Sequence, residues 1–212
     1  MRLVLAMIPL AITACTARPA PCAAPTCGAG LECLANRCVQ GGSEPVPGST
    51  QRIVLTPVAC TTARGEALSG SVTLGDERAP DTRLYVRFGA FEPGGEVLAA
   101  FLLIEPASDR PRSLDDVPLE VWSLEGGVRG EEPALVAPHA DGLARSAPPT
   151  IVRIDVTELA RRLSRARHDA GLAVLSPSAR GRGIALSTGA ARTQPPRLEI
   201  YVRGAGTTAR AW

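Results

Sequence analysis

From residue 51 onward, short apolar runs alternate with turn residues along most of the chain. Apolar and polar side chains that alternate at every second residue indicate strands with one buried face, and the glycines and prolines between the runs indicate turns. The pattern predicts a β domain over residues 51–205, an antiparallel β-sandwich of the jelly-roll type in an all-β fold. The predicted strands are residues 52–58, 69–74, 83–88, 97–105, 117–124, 150–156, 171–175, 183–188 and 196–202, with a weaker one at 133–137.

One short helix interrupts these predicted strands. Thr157 can cap the run ELARRLSRA, in which Leu159 and Leu163 lie one turn apart on the same face. Arginines occupy other positions of the run, so the predicted helix has one apolar face. We expect that face to cover an open end of the sandwich core.

The first fourteen residues have the layout of an export signal. Arg2 precedes an apolar run over residues 3–12, and the small residues Thr13 and Ala14 follow. The run is far shorter than the roughly twenty residues that a helix needs to span a bilayer. The layout therefore predicts a cleaved signal peptide rather than a permanent transmembrane helix.

The end of that signal, Ile12-Thr13-Ala14-Cys15, resembles the lipobox of bacterial lipoprotein precursors. The resemblance implies a signal peptide over residues 1–14 and a mature protein that begins at an acylated Cys15 and is held in the membrane by its acyl chains. Thr16 follows the cysteine, which in enteric bacteria implies the outer membrane. An ordinary secretory signal that happens to contain a cysteine is the alternative.

Four further cysteines lie close together in residues 15–40, with the spacing C-x4-C-x5-C-x4-C: Cys22, Cys27, Cys33 and Cys38. An exported segment this short cannot bury a core, so the pattern predicts a two-disulfide knot, for which three pairings are possible. A zinc site with four thiolates is the alternative. The segment resembles the small CG-x-G-x-x-C modules that follow lipoboxes in bacterial surface proteins. We favour the interleaved pairing, Cys22–Cys33 with Cys27–Cys38.

Residues 41–50, GGSEPVPGST, have no apolar periodicity and predict a linker, and residues 206–212 are a short tail. Cys60 is left over from the cysteine cluster. A free exposed thiol outside the cytoplasm is prone to oxidation, so we expect Cys60 to be a small buried apolar residue of the β domain.

Several segments of this domain resemble the DNRLRE-type, carbohydrate-binding-module-like β-sandwiches of exported bacterial proteins. In order they are RLYVRFGAF (83–91), VLAAFLLIE (97–105), PLEVWSL (118–124), IDVTELARRL (154–163), GLAVL (171–175) and PPRLEIYV (195–202). The IDVTELARRL and PPRLEIYV segments are the most specific. The resemblance covers about 150 residues and implies glycan binding. Gly89 stands where the family usually has aspartate, and the helix lacks the family's tryptophan.

Charge and motifs exclude several functions. The net charge is +2, so bulk charge does not favour nucleic acid or another polyanion as a partner. The chain has no GxSxG, HExxH, phosphate-binding or dinucleotide-binding glycine motif. We therefore predict a protein that is not an enzyme and that carries no cofactor.

Metal binding has only weak support in the sequence. Each of the two histidines has an aspartate two residues or one residue away, His139 with Asp141 and His168 with Asp169, so weak ligation is conceivable. We expect both to be exposed loop histidines and predict no metal site. The acidic pairs at residues 115–116 and 131–132 are expected to be solvated loop charges. A structural calcium site to which they contribute is the alternative, although no motif supports it.

Two predicted strands carry the candidate ligand-binding residues. In the predicted strand 83–88, alternation places Leu84, Val86 and Phe88 on the core face, so the residues between them face outward. The last predicted strand, residues 196–202, has an outward face of the same kind. If the two strands were neighbours, their tyrosines and arginines would form one patch for an acidic polysaccharide or for extracellular matrix. The alternation leaves the side of Trp122 ambiguous. The residues of this predicted patch are Arg83, Tyr85, Arg87, Arg197, Tyr201 and Arg203.

A structural or protein-interaction module of the cell envelope is the alternative function. Aromatic residues make up only 3% of the chain, whereas carbohydrate-binding modules usually display more exposed aromatic rings. The position of Tyr85 relative to Tyr201 discriminates between the two functions.

Overall fold

A computed structural model describes residues 31–34, 37–40, 50–62, 67–68, 70–89, 92–107, 116–125, 133–145, 151–165, 171–179, 181–189 and 193–203. The predicted signal peptide, Cys15, Cys22, Cys27, residues 41–49 of the predicted linker and the tail lie outside these residues, whereas Thr50, predicted as the last linker residue, belongs to a strand. The described part is mostly β structure with one short helix. Within it, no helix has the length and apolar composition that crossing a membrane requires.

The described residues form thirteen strands and one helix. The strands are β1 (Leu31–Leu34), β2 (Arg37–Gln40), β3 (Thr50–Leu55), β4 (Ala59–Thr61), β5 (Ser71–Asp76), β6 (Arg83–Arg87), β7 (Glu96–Ile104), β8 (Val117–Glu125), β9 (Ala134–Ala144), β10 (Val152–Asp155), β11 (Gly171–Leu175), β12 (Arg182–Ser187) and β13 (Arg197–Arg203); the helix is α1 (Thr157–Leu163).

Two antiparallel sheets enclose the core. One has four strands in the order β10-β7-β13-β3, and the other has five in the order β4-β6-β11-β8-β9. The side chains between them form a single apolar cluster, in which Leu102 and Ile200 come from the four-stranded sheet and Leu84, Leu119 and Leu172 from the five-stranded sheet. Because strands that follow one another in the chain often lie in different sheets, the arrangement is consistent with the predicted β-sandwich.

Alternation explains why these segments form strands with one face inside. In β8, every second residue from Val117 to Ser123 is buried, and the residues between them are half-buried. Each buried aliphatic side chain contributes roughly 1.5–3 kcal/mol when it leaves water, so a shift by one residue would expose the whole apolar row. The core therefore fixes the register of the strand.

A smaller pair of strands extends the four-stranded sheet. β5 pairs with β12, and β12 is in turn hydrogen-bonded to the segment that follows β7. These bonds run from Ser187 N to Glu105 O (2.7 Å) and from Ala107 N to Ala185 O (2.9 Å). At the far edge of the same sheet, β3 pairs with β13 so that Thr50 lies directly opposite Arg203.

The helix is found where it was predicted, but its N-terminus differs from the prediction. The helix begins at Thr157 itself, and Val156 is the capping residue without a side-chain cap. The Asp155 carboxylate accepts hydrogen bonds from both the backbone N–H (3.1 Å) and the hydroxyl (2.7 Å) of Thr157. The hydroxyl oxygen accepts a further bond from Ala100 N on β7 (3.0 Å). The prediction of Thr157 as the cap was wrong because its hydroxyl binds a neighbouring strand instead.

The apolar face of the helix packs as predicted. Leu159, Ala160 and Leu163 are buried and belong to the core cluster. The helix contacts β7 of one sheet and β8 and β9 of the other, so it covers the core between the two sheets.

Most predicted strands of the β domain are present, and the differences concern β3, β4 and β9. β3 ends at Leu55, before Pro57, and the short strand β4 was not predicted. β9 is eleven residues long and continues through Ala144, well past the weak prediction for residues 133–137. The cysteine segment also contains a hairpin that was not predicted, formed by β1 and β2, in which Cys33 lies opposite Cys38. Because Cys22 and Cys27 lie outside the described residues, the disulfide pairing stays a prediction.

Candidate functional site

A bulge in β9 shapes the surface of the five-stranded sheet. Trp122 of β8 pairs with His139, but the next residue, Ser123, pairs with Val136, so Ala137 and Pro138 are extra residues in β9. Proline has no N–H for the ladder and is tolerated in a strand at a bulge, where residues are unpaired. The guanidinium of Arg162, on the helix, donates a hydrogen bond to the bulge carbonyl of Ala137. The helix thereby holds the bulge beside His139.

Four side chains meet on the outer face next to this bulge. The His139 ring stacks on the Trp122 indole with a centroid distance of 4.5 Å and an angle of 24°. The Trp122 Nε1–H donates to Glu120 Oε2 at 2.9 Å. His139 Nε2 lies 3.3 Å from Asp141 Oδ1. The pairing of Trp122 with His139 and of Glu120 with Asp141 across the two strands brings these side chains together. We call these four residues the Trp–His cluster.

A groove begins at Asp141 and runs between the outward side chains of β9 and β10. Its volume is about 470 Å³. Two aspartates, two arginines and two exposed aliphatic side chains line it together with Gly142: Asp141, Asp155, Arg145, Arg153, Leu143 and Ile151. We call this the β9–β10 groove. A volume of this size falls in the range of small-ligand pockets, about 300–1,000 Å³.

The two strands that border the groove approach closely because β9 has a glycine at the contact. A Cβ atom at Gly142 would lie 2.5 Å from both Cγ1 and Cδ1 of Ile154, a fully buried core residue of β10. Any larger residue would push the strands apart or force Ile154 out of its position. Gly142 therefore sets the width of the groove floor.

The outer face of the four-stranded sheet carries a separate group of aromatic and charged residues. The Arg153 guanidinium lies 3.7 Å from the centroid of the buried Phe101 ring. The Tyr201 ring meets the same ring edge-on, with 6.3 Å between the two ring centroids. On the other side of Tyr201, Arg52 donates a hydrogen bond to Glu199. That hydrogen bond and the carboxylate charge raise the pKa of the Arg52 guanidinium. The Arg52 charge on this face is thus paired within the protein.

The predicted Arg–Tyr patch is not one surface, and that prediction was wrong. β6, with Arg83, Tyr85 and Arg87, lies in the five-stranded sheet, whereas β13 lies in the four-stranded sheet. Alternation places Tyr85 on the outer side of its sheet, yet its side chain is only 3% exposed. The periodicity of a strand tells which side a residue faces and not whether that side is covered. Of the six predicted residues, Arg197, Tyr201 and Arg203 lie together on β13.

Other predicted site residues lie as follows. His139 is exposed as predicted, but it lies in β9 rather than in a loop. His168 and Asp169 lie outside the described residues, as do Asp115, Glu131 and Glu132, while Asp116 is exposed. The prediction for Cys60 is confirmed, since it is a free, buried cysteine whose thiol pKa burial raises to about 11.

Sequence reasoning missed most of the residues that line the two sites. Arg145, Ile151 and Asp155 were not singled out because nothing in the sequence shows that the ends of β9 and β10 lie side by side. The spacing E-x-W in β8 and H-x-D in β9 was a usable signal for the Trp–His cluster. Residues two apart on a strand share a face, so each pair is on one side of its strand.

The chain matches no protein-family model, and no curated protein is significantly similar to it in sequence. The resemblances to lipoprotein precursors and to DNRLRE-type sandwiches therefore stay predictions.

Proposed function

We propose that this protein is a non-catalytic, membrane-anchored binding module of the cell envelope, and that the β9–β10 groove binds polysaccharide or matrix. The groove itself is the observation that supports this proposal. It is open, of ligand size, and combines charged groups of both signs with exposed aliphatic side chains.

The lining chemistry suits a polysaccharide that carries hydroxyl and carboxylate groups. Each arginine offers several N–H donors in a planar fork, which matches a carboxylate of a uronic acid. The aspartates accept hydrogen bonds from sugar hydroxyls. Leu143 and Ile151, which are 39% and 46% exposed, offer apolar surface to the C–H groups of a sugar ring.

Arg145 is the most direct candidate for recognition of a ligand carboxylate. It is exposed at the end of β9, and no described residue forms a salt bridge with it. Arg153, opposite on β10, already lies over Phe101, so its position is fixed before a ligand arrives. A preorganised arginine loses less conformational freedom on binding.

Glycan-array binding by the mature full-length chain tests this assignment. We expect binding to uronate-containing glycans, with affinity at least tenfold lower in Arg145→Ala, which corresponds to about 1.4 kcal/mol. Arg78→Ala is the matched control, because Arg78 is also exposed but belongs to the turn after β5. Binding that is unchanged in Arg145→Ala would place the ligand elsewhere.

The alternative, a structural or protein-interaction module without glycan binding, has one observation in its favour. The exposed Leu143 and Ile151 flank the same groove, and exposed aliphatic groups are also common at protein contacts. Failure to bind any acidic glycan on the array would support this alternative.

The anchored location and the jelly-roll topology are part of the proposal. The lipobox-like segment and the linker support an anchored head, and the strand order with alternating sheets supports a jelly roll. We expect the full-length chain to fractionate with outer membranes and Cys15→Ser to lose its acyl chains by mass spectrometry. An unacylated mature N-terminus in the wild-type protein would refute the anchor.

A further inference from the structure

The Trp–His cluster brings three metal-ligating side chains to one point on the outer face of the five-stranded sheet. The ligating atoms of Glu120, His139 and Asp141 all lie within 4.8 Å of one another. Among the described residues, this is the group of histidine and carboxylate side chains that meets this spacing. The sequence prediction of no metal site did not anticipate this convergence.

We propose that Glu120, His139 and Asp141 form a binding site for a divalent transition-metal ion such as Zn²⁺, Co²⁺ or Ni²⁺. The inference does not rest on polysaccharide binding, although Asp141 also lines the β9–β10 groove.

The distances suit such an ion. Two ligands that bind zinc tetrahedrally at about 2.0–2.2 Å lie roughly 3.4 Å apart. His139 Nε2 and Asp141 Oδ1 are already 3.3 Å apart. An ion placed between these two atoms is in reach of both, and Glu120 on the adjacent strand supplies the third ligand. Three protein ligands leave at least one coordination position open to solvent.

Trp122 holds two of these ligands in place. Its Nε1–H binds Glu120 Oε2, which leaves Glu120 Oε1 for the ion, and its ring supports the His139 imidazole by stacking. Contacts of this kind to metal ligands typically contribute 10–100-fold to affinity. Trp122 is therefore a positioning residue of the proposed site.

The donor set favours a transition metal over calcium. Imidazole is a good ligand for Zn²⁺, Ni²⁺ and Cu²⁺, whereas Ca²⁺ requires six to eight oxygen ligands. The three side chains supply one imidazole nitrogen and the oxygens of two carboxylates. These are too few oxygen ligands to bind Ca²⁺ tightly.

Isothermal titration of the oxidised full-length chain with Zn²⁺ tests the proposal. We expect one site per chain, at least tenfold weaker in His139→Ala, Asp141→Asn and Glu120→Gln, and no comparable binding of Ca²⁺. His168→Ala is the matched control, because His168 is the only other histidine. Zn²⁺ binding that is absent, or equally strong in His139→Ala, overturns the proposal.

Fluorescence gives a second, independent measurement. The chain has two tryptophans, so Trp212→Phe leaves Trp122 as the sole reporter. Ni²⁺ bound beside Trp122 should quench its emission with a saturating curve, and His139→Ala should abolish the saturating component. Circular dichroism confirms that each variant is folded, which is expected because the substituted histidine and aspartate are exposed. Quenching that persists unchanged in His139→Ala contradicts the site.

Discussion

Replacing Thr157 with valine removes a buried hydroxyl while keeping the shape of the side chain. The Thr157 side chain is 2% exposed, and its oxygen accepts the N–H of Ala100, a residue with no exposed surface. In Thr157→Val that N–H has no acceptor in place of the hydroxyl. A buried donor left without a partner costs about 1–3 kcal/mol, so we expect the free energy of unfolding to fall by about 2 kcal/mol.

Urea denaturation followed by circular dichroism measures this loss. With an m-value of roughly 2 kcal/mol/M for a domain of this size, the midpoint should fall by about 1 M. Thr157→Ser is the control, because it keeps the hydroxyl and loses one methyl group, at a cost of about 0.8 kcal/mol. The reasoning is refuted if Thr157→Val is as stable as the wild type or more stable than Thr157→Ser.

Three further predictions concern the core and the groove. Burial raises the pKa of the Cys60 thiol from 9.0 to about 11, so the thiol of the unfolded chain loses its proton at a lower pH than that of the folded chain. The free energy of unfolding should therefore fall between pH 9 and 11, and urea titrations of Cys60→Ala should show a smaller decline. Gly142→Ala should lower the free energy of unfolding by about 1–3 kcal/mol, because the new Cβ atom meets Ile154. Adding Ile154→Val removes the Cδ1 atom, one of the two crowded atoms, and should recover part of this loss in a thermal melt. Ser123 Oγ is buried with no hydrogen-bond partner among the described residues, so Ser123→Ala should raise the thermal midpoint, and a lower midpoint would reveal a partner.

Periodicity predicted the sandwich well wherever one face of a strand is covered by the core and the other is not. The segment VPLEVWSL is an example, since its alternation gave the strand, although it left the side of Trp122 open until the structure showed the alternate residues from Val117 to Ser123 buried. Alternation also placed Tyr85 on the outer side correctly but could not show that this side is covered. Its cross-strand neighbours, Thr61 and Ala173, come from chain segments far apart, and no local pattern relates them.

The candidate site was the hardest part to predict because it depends on irregular features. Pro138, Asp141 and Gly142 are ordinary turn residues in sequence, yet all three lie inside β9. The bulge accommodates the proline, and the close approach of Ile154 requires the glycine. Both features are tertiary, so sequence rules end the strand too early and treat His139 as a loop residue.

The pairing of Thr50 with Arg203 has a consequence for how the domain can be joined to other chains. Directly opposite residues in an antiparallel pair have α-carbons about 4.5–5.5 Å apart, so the chain enters and leaves the domain through adjacent backbone positions. A few glycines should suffice to connect Arg203 to Thr50 in a circular permutant, with new termini opened in the turn after β5. The same geometry makes the domain suitable for insertion into a loop of a host protein, since it demands almost no separation between the two points of attachment.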